Sequence, residues 1–353
     1  MKTKNCIVCC LTALLALPVL EVFAETPAGS SVELITTFDY PGDVVSTQPQ
    51  KIRNTGRRFD APEDKTHPAT VVGVYIDPSL VQRGFVWEDG AYEDLVHPTD
   101  TGNVTQCRGV NNSQVVCGDY LDGSTGEFHG FFVRVRNQVL GGFYDYDVPG
   151  ATTTFILGIN NAGDFCGSDI PGSGIQSGFV SIGGVITEFT VPGATATLAY
   201  QINDANQAAG YYLDAASVAH GFYRESDGSI VSPIDPTGST GTIVFGNNNK
   251  NRIVGRYSDI SGLTHGFVFI PPDTYIIYDY PGSTFTSLNG INSGGSIVGR
   301  YLDVNGIEHG ILARLVRGTG DNPITGTIPQ RQPSQVNAVK PLPARSQVVE
   351  PAL

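Results

Sequence analysis

The sequence predicts an all-β fold: a six-bladed β-propeller of four-stranded antiparallel blades, its ring closed by the N-terminal strand. Three observations predict it. One pattern recurs six times, marked by Gly84, Gly130, Gly178, Gly221, Gly266 and Gly310, at a period of 43 to 48 residues. A repeat of that length built only from strand-like pieces is the mark of a radial β array. The composition, with Gly 43, Pro 22 and 16% charged residues, suits many short strands and tight turns. Finally, no segment beyond the N-terminus keeps a helical period with caps.

The elements follow in chain order. Lys2 and Lys4 precede an apolar run from Cys6 to Leu20, and Val22-Phe23-Ala24 offers a signal-peptidase site. Residues 1–24 are therefore expected to be a signal peptide cleaved after Ala24, and the protein to be secreted, extracellular or periplasmic. The apolar run is short for a membrane span. Residues 25–317 form the predicted propeller domain. Residues 318–353, rich in Pro, Gln, Ser and Thr, read as a disordered tail.

Each repeat reads as four strands. The first carries Gly-Ile-Asn, as at Gly158-Ile159-Asn160 and Gly290-Ile291-Asn292, followed by a turn such as Asn160-Asn161-Ala162-Gly163. The second carries Val-Gly-x-Tyr, as at Val254-Gly255-Arg256-Tyr257. The third opens His-Gly-Phe, as at His265-Gly266-Phe267. The fourth ends in Pro-Gly at 149–150, 192–193 and 281–282, which fits a type II turn. The last repeat lacks a fourth strand, while Val32 to Gly42 is a fourth strand with no blade before it. Pairing of that segment beside Gly310 to Val316 would close the ring and remove an exposed edge. The first repeat is degraded: Lys51-Ile52-Arg53 stands in place of Gly-Ile-Asn, and a polar insertion spans 57–70. The third has Asp169 where tyrosine is expected and Ser177 for histidine.

The repeated Ile-Asn-x-x-Gly-x-x-Val-Gly-x-Tyr followed by His-Gly-Phe, at 129–131, 220–222 and 265–267, resembles the HAF-repeat family of bacterial extracellular proteins. The resemblance covers residues 35 to 314. It implies a secreted propeller-like domain and carries no defined activity.

The formal net charge of −13 makes nucleic acid a poor partner. The recurring histidines 129, 220, 265 and 309 invite a metal reading, but symmetric third-strand positions lie away from an axis where imidazoles could converge. A hydrogen bond inside each blade, to the Asp ending the second strand, is the expected role. Asp77, Asp122, Asp214, Asp259 and Asp303 follow that strand, and turn bonding is expected of them in preference to calcium binding, because dense calcium-loop spacing is missing. No Gly-x-Ser-x-Gly elbow or phosphate loop occurs, and repeated carboxylates make a poor catalytic pair. No metal or cofactor is therefore expected. Cys107, Cys117 and Cys166 remain beyond the signal; Cys107 and Cys117 sit on neighbouring strands, where either a disulfide or small buried thiols are open readings.

Candidate ligand residues are those that differ between repeats. The slot after the second-strand glycine holds Val74, Asp119, Ser168, Tyr211, Arg256 and Arg300. Arg256 and Arg300, in adjacent repeats, are placed to hold one anion. Trp87 could stack a sugar, or simply pack. The expected function is a monomeric, non-enzymatic secreted propeller that binds a glycan or protein, with no membrane span. The alternatives are a carbohydrate-active hydrolase or lyase on the same scaffold, and a structural surface protein.

Overall fold

The computed structural model describes residues 29–53, 70–88, 90–136, 139–172 and 174–316. The expected signal peptide, most of the insertion and the tail lie outside the described residues. Twenty-four strands and no helix make up the described chain.

The N-terminal strand is β1 (Ser31–Phe38). The first full repeat then supplies β2 (Ser46–Ile52), β3 (Thr70–Ile76), β4 (Gln82–Glu88) and β5 (Ala91–Leu95). The second supplies β6 (Thr105–Val110), β7 (Val115–Asp122), β8 (Glu127–Arg136) and β9 (Val139–Tyr146). The third holds β10 (Ala151–Ile159), β11 (Phe165–Pro171), β12 (Ser177–Ile182) and β13 (Val185–Phe189). The fourth holds β14 (Ala196–Ile202), β15 (Ala208–Leu213), β16 (Ala219–Arg224) and β17 (Ile230–Val231). The fifth has β18 (Gly241–Asn247), β19 (Ile253–Ser258), β20 (Thr264–Ile270) and β21 (Thr274–Tyr278). The last ends the described chain with β22 (Thr286–Ile291), β23 (Ser296–Leu302) and β24 (Glu308–Val316).

Repeats two to five each form a four-stranded antiparallel sheet. The remaining strands make one eight-stranded sheet in the order β22-β23-β24-β2-β3-β4-β5, with β1 on β24. Six separate sheets are expected and five are found. The difference lies in one parallel pair, Ser46 with Glu308, which joins the first and last repeats. Comparable parallel bridges between other neighbouring repeats, such as Gln82 with Val104 and Thr264 with Phe285, remain isolated, because Val104 and Phe285 lie just before their strands begin. Strand β1 runs antiparallel to β24, from Ser31 opposite Val316 to Phe38 opposite Gly310.

Each first strand carries a register shift, between Cys107 and Gly109 in β6 and between Leu288 and Gly290 in β22. Opposite the shift stands the glycine of Val-Gly-x-Tyr. A Cβ on Gly118 would run into the Gln106 carbonyl, and one on Gly299 into that of Ser287. Close backbone approach is why this position repeats as glycine. Beneath it lies the phenylalanine of His-Gly-Phe: Phe85, Phe131, Phe179, Phe222 and Phe267 are all fully buried. Each such side chain contributes about 1.5–3 kcal/mol by leaving water.

In three repeats an aromatic ring of the entering connector covers the tyrosine of that repeat's second strand. Tyr40 stacks on Tyr75 and His97 on Tyr120, both at 3.7 Å between centroids, and Tyr280 stacks on Tyr301 at 3.5 Å. In the third repeat the pattern is lost. Asp169, 1% exposed, takes the tyrosine slot, and neither carboxylate oxygen finds a hydrogen-bond partner among the described residues.

Candidate functional site

The first strands of all six repeats end around one cavity of about 40 Å³. The asparagine of Gly-Ile-Asn builds its wall. Each side-chain oxygen accepts backbone N–H groups of its own turn; Asn160 Oδ1 takes those of Ala162 at 3.0 Å and Asp164 at 2.9 Å. Each side-chain nitrogen reaches the next repeat. Asn111 donates to the Asn160 carbonyl at 3.0 Å, Asn160 to Asn203 at 3.2 Å, Asn203 to Asn248 at 3.1 Å, Asn248 to Asn292 at 2.9 Å, and Asn292 to Arg53 at 3.2 Å. This relay buries five amides at 3–5% exposure with their hydrogen bonds satisfied.

A second, exposed tier follows the same direction. The backbone N–H of Asn112 donates to Asn161 Oδ1 at 2.8 Å, that of Asn161 to Asp204 Oδ1 at 2.9 Å, and that of Asp204 to Asn249 Oδ1 at 2.9 Å. Asp204 is the acidic member of this rim.

Inside the wall one slot breaks the repeat. Gly109, Gly158, Gly246 and Gly290 occupy it in four repeats, Gln201 in the fourth and Lys51 in the first. The glycines leave room that Lys51 fills: a Cβ on Gly246 would lie 3.3 Å from Lys51 Nζ, and one on Gly290 3.0 Å from Lys51 Cα. Lys51 is 6% exposed and donates to the carbonyl oxygens of Phe245 and Asn289. Burial pulls its amine down to about 7, with the Cys166 and Cys117 thiols opposing that shift and the Arg108 charge adding to it. A lysine half-neutral near pH 7 in a cavity is the chemistry that marks functional sites. The sequence shows Lys51 only as a defect in a repeat; its replacement of a glycine at a bulge is the signal that could have found it.

The variable slot lies between repeats. Arg256 and Arg300 do come together, both over the Phe285 ring, with guanidinium carbons 5.3 and 5.6 Å from its centroid. Arg256 also covers Phe245 at 5.2 Å. Arg300 is 4% exposed and pairs with Glu308 at 3.5 Å, and Glu308 accepts from Ser46 and Gln48. In the second repeat the same slot holds Asp119, fully buried and 3.3 Å from Arg108 Nε; burial raises its carboxyl to about 6 against that partner. Trp87, half-buried, stacks on Phe38 of β1 at 5.8 Å.

The histidines are held inside their repeats. His129, His220, His265 and His309 bond through Nδ1 to Asp147, Asp235, Asp279 and Asp39 at 2.6–2.9 Å. These partners belong to the fourth-strand segment, a pairing the sequence reading does not anticipate. The expected second-strand aspartates lie on Nε2 at a longer 3.4–3.6 Å in three repeats, as Asp214, Asp259 and Asp303. Those aspartates also accept backbone N–H groups of their own loops, as Asp259 does from Ser261 and Leu263. Among the described residues no group of three or more His, Cys, Asp or Glu is placed to hold a metal. Cys107, Cys117 and Cys166 are free and buried, and burial raises all three thiols. No helix among the described residues is long and apolar enough to cross a membrane.

No protein-family model and no curated protein matches the chain. Among solved structures, a triple arginine-to-alanine mutant of AofleA from Arthrobotrys oligospora is similar at 11% identity and a TM-score of 0.50, with 82% of this chain and 90% of that one covered. The β-propeller domain of the Trilobed protease from Pyrococcus furiosus is matched at 6% identity and a TM-score of 0.40, over 78% of this chain and 99% of that one. Likeness at these identities concerns the fold alone. The described chain is all-β, with antiparallel sheets whose first strands meet at one cavity, a propeller-like fold in keeping with the likeness to AofleA.

Proposed function

We propose that this chain is a secreted propeller of the HAF-repeat type that acts as a binding or scaffold module for a glycan or a protein. Its six repeats are read as six blades of one ring, closed where β1 pairs with β24. Convergence of all six first strands on one cavity supports that count. The observation that carries the functional reading is how the repeated polar groups are used. The histidines, the loop aspartates and the asparagine relay are spent on bonds within and between repeats. What is left over for a partner is a polar cavity with an exposed amide rim.

One observation favours the hydrolase or lyase alternative: Lys51, titrating near 7 inside the cavity. Against it stands size. Small-molecule sites enclose about 300 Å³ or more, and this cavity encloses about 40 Å³, so no sugar ring reaches the amine. A glycan array run beside an assay for new reducing ends and unsaturated products decides between the readings. Binding without turnover is expected; product formation that disappears in Lys51→Met would replace the binding reading with the enzymatic one.

A further inference from the structure

The cavity presents donors and acceptors that the scaffold does not use. Lys51 Nζ donates to two carbonyl oxygens, and an ammonium has a third hydrogen to give. Among the described residues no carboxylate pairs with it. Two more residues lining the same cavity, Gln201 and Asn247, leave Oε1 and Oδ1 without a hydrogen-bond partner among the described residues. Asn247 is 4% exposed, so its oxygen is not compensated by bulk water.

Ligand classes can be tested against this set. A halide or carboxylate would satisfy the ammonium, but two carbonyl oxygens already sit on Nζ and the lining carries two further amide oxygens, which disfavour an anion. A metal cation would suit the oxygens, but the protonated form of the amine would repel it. A hydroxyl does both jobs, accepting from Nζ and donating to an amide oxygen; water does them too, and is the occupant that a sugar hydroxyl would displace. Space points the same way. About 40 Å³ is room for about three waters or one hydroxymethyl arm. The exposed rim of Asn112, Asp204 and Asn249 is rich in the donors and acceptors that further hydroxyls engage.

We propose that the cavity is a subsite for the hydroxymethyl arm of a saccharide or polyol, with Lys51 as donor and Gln201 or Asn247 as acceptor. The proposal rests on the reading of the chain as a binding module and names the chemistry of that site. The lysine occurs in one repeat of six, so the subsite takes a single arm despite the repeated architecture.

The test compares methyl β-glucoside with methyl β-xyloside, which differ by the hydroxymethyl group alone. Lysine Cε resonances of the intact protein are followed by NMR, and affinities by calorimetry. The glucoside is expected to move the Lys51 resonance and to bind at least about ten-fold more tightly than the xyloside; Lys51→Met should lose that margin. The resonance measurement needs no variant, so it stands even if Lys51→Met folds poorly. Equal response to both sugars, or a Lys51 resonance that moves with neither, overturns the subsite. If an array detects saccharide binding while Lys51 stays silent, the subsite alone falls. If the array is blank as well, the saccharide half of the functional reading falls with it.

Discussion

Replacing Asn203 by alanine removes one complete link of the asparagine relay. The side chain is 3% exposed. Its oxygen accepts from the backbone of Ala205 and Gln207, both at 3.0 Å, and its nitrogen donates to Gln207 Oε1 at 2.8 Å and the Asn248 carbonyl at 3.1 Å. Four hydrogen bonds at about 1 kcal/mol net each give a cost of about 4 kcal/mol, somewhat less where the exposed turn N–H groups recover water. Unfolding entropy of about 2.1 cal/mol/K per residue over roughly 290 residues is about 0.6 kcal/mol/K, so Tm should fall by about 5–7 °C. Asn161→Ala is the control, because its partners Asn112 and Asp204 lie on the exposed rim; its cost should stay under about 1 kcal/mol. Asn203→Asp separates the two halves of the link: it keeps the turn acceptors and sets a carboxylate against the Asn248 carbonyl. Thermal and denaturant unfolding of the three variants provide the measurement. An Asn203→Ala protein as stable as Asn161→Ala would refute the view that the relay ties neighbouring repeats together.

Four further outcomes are expected. Burial, with the Glu188 charge adding to it, raises Asp169 from 3.8 to about 6. The folded form thus holds that proton more tightly than the unfolded one. Wild-type stability relative to Asp169→Asn should rise as pH falls from about 6 to about 4, by at most about 3 kcal/mol, and stay flat above; a Tm difference unchanged between pH 7 and pH 4 would contradict this. A thiol reagent should label none of Cys107, Cys117 and Cys166 in the native state and all three after unfolding. Arg300→Ala should cost about 3 kcal/mol by leaving Glu308 without its cation, and the half-buried Arg256→Ala only about 1 kcal/mol; equal losses in chemical denaturation would show that Phe285 stacking dominates at both. Deleting residues 25–40 strips β1 from β24 and bares that edge, so a lower Tm and concentration-dependent aggregation are expected; a monomeric variant of unchanged Tm would show β1 to be dispensable.

Much of the fold is written in the repeat, because each unit must satisfy its own short-range demands. The second-strand glycine recurs since a Cβ there would strike the first-strand carbonyl. The asparagine recurs since its oxygen must cap the turn that follows. The pairing of β1 beside Gly310 to Val316 was legible from two matching defects at the ends of the repeat array. Arg256 and Arg300 meet over Phe285 because equal slots in adjacent repeats are neighbours.

Other features depend on what stands across a gap, and strand alternation carries no information about that. The third strand pairs with both the second and the fourth, so aspartates stand on either side of each histidine, and only the fold decides that Nδ1 meets the fourth-strand one at the shorter distance. Trp87 meets Phe38 because β1 returns from the far end of the chain. Asp169 is isolated because its repeat lost the histidine, and its slot is one that a connector covers. Lys51 shows the division most clearly. In the sequence it is a lapse in Gly-Ile-Asn. In the assembled fold the glycines of other repeats clear the space it enters, and carbonyls from two other strands receive its amine. The repeat determines how each unit folds; only the meeting of the first strands decides which side chain enters their shared cavity, because that cavity belongs to no single repeat.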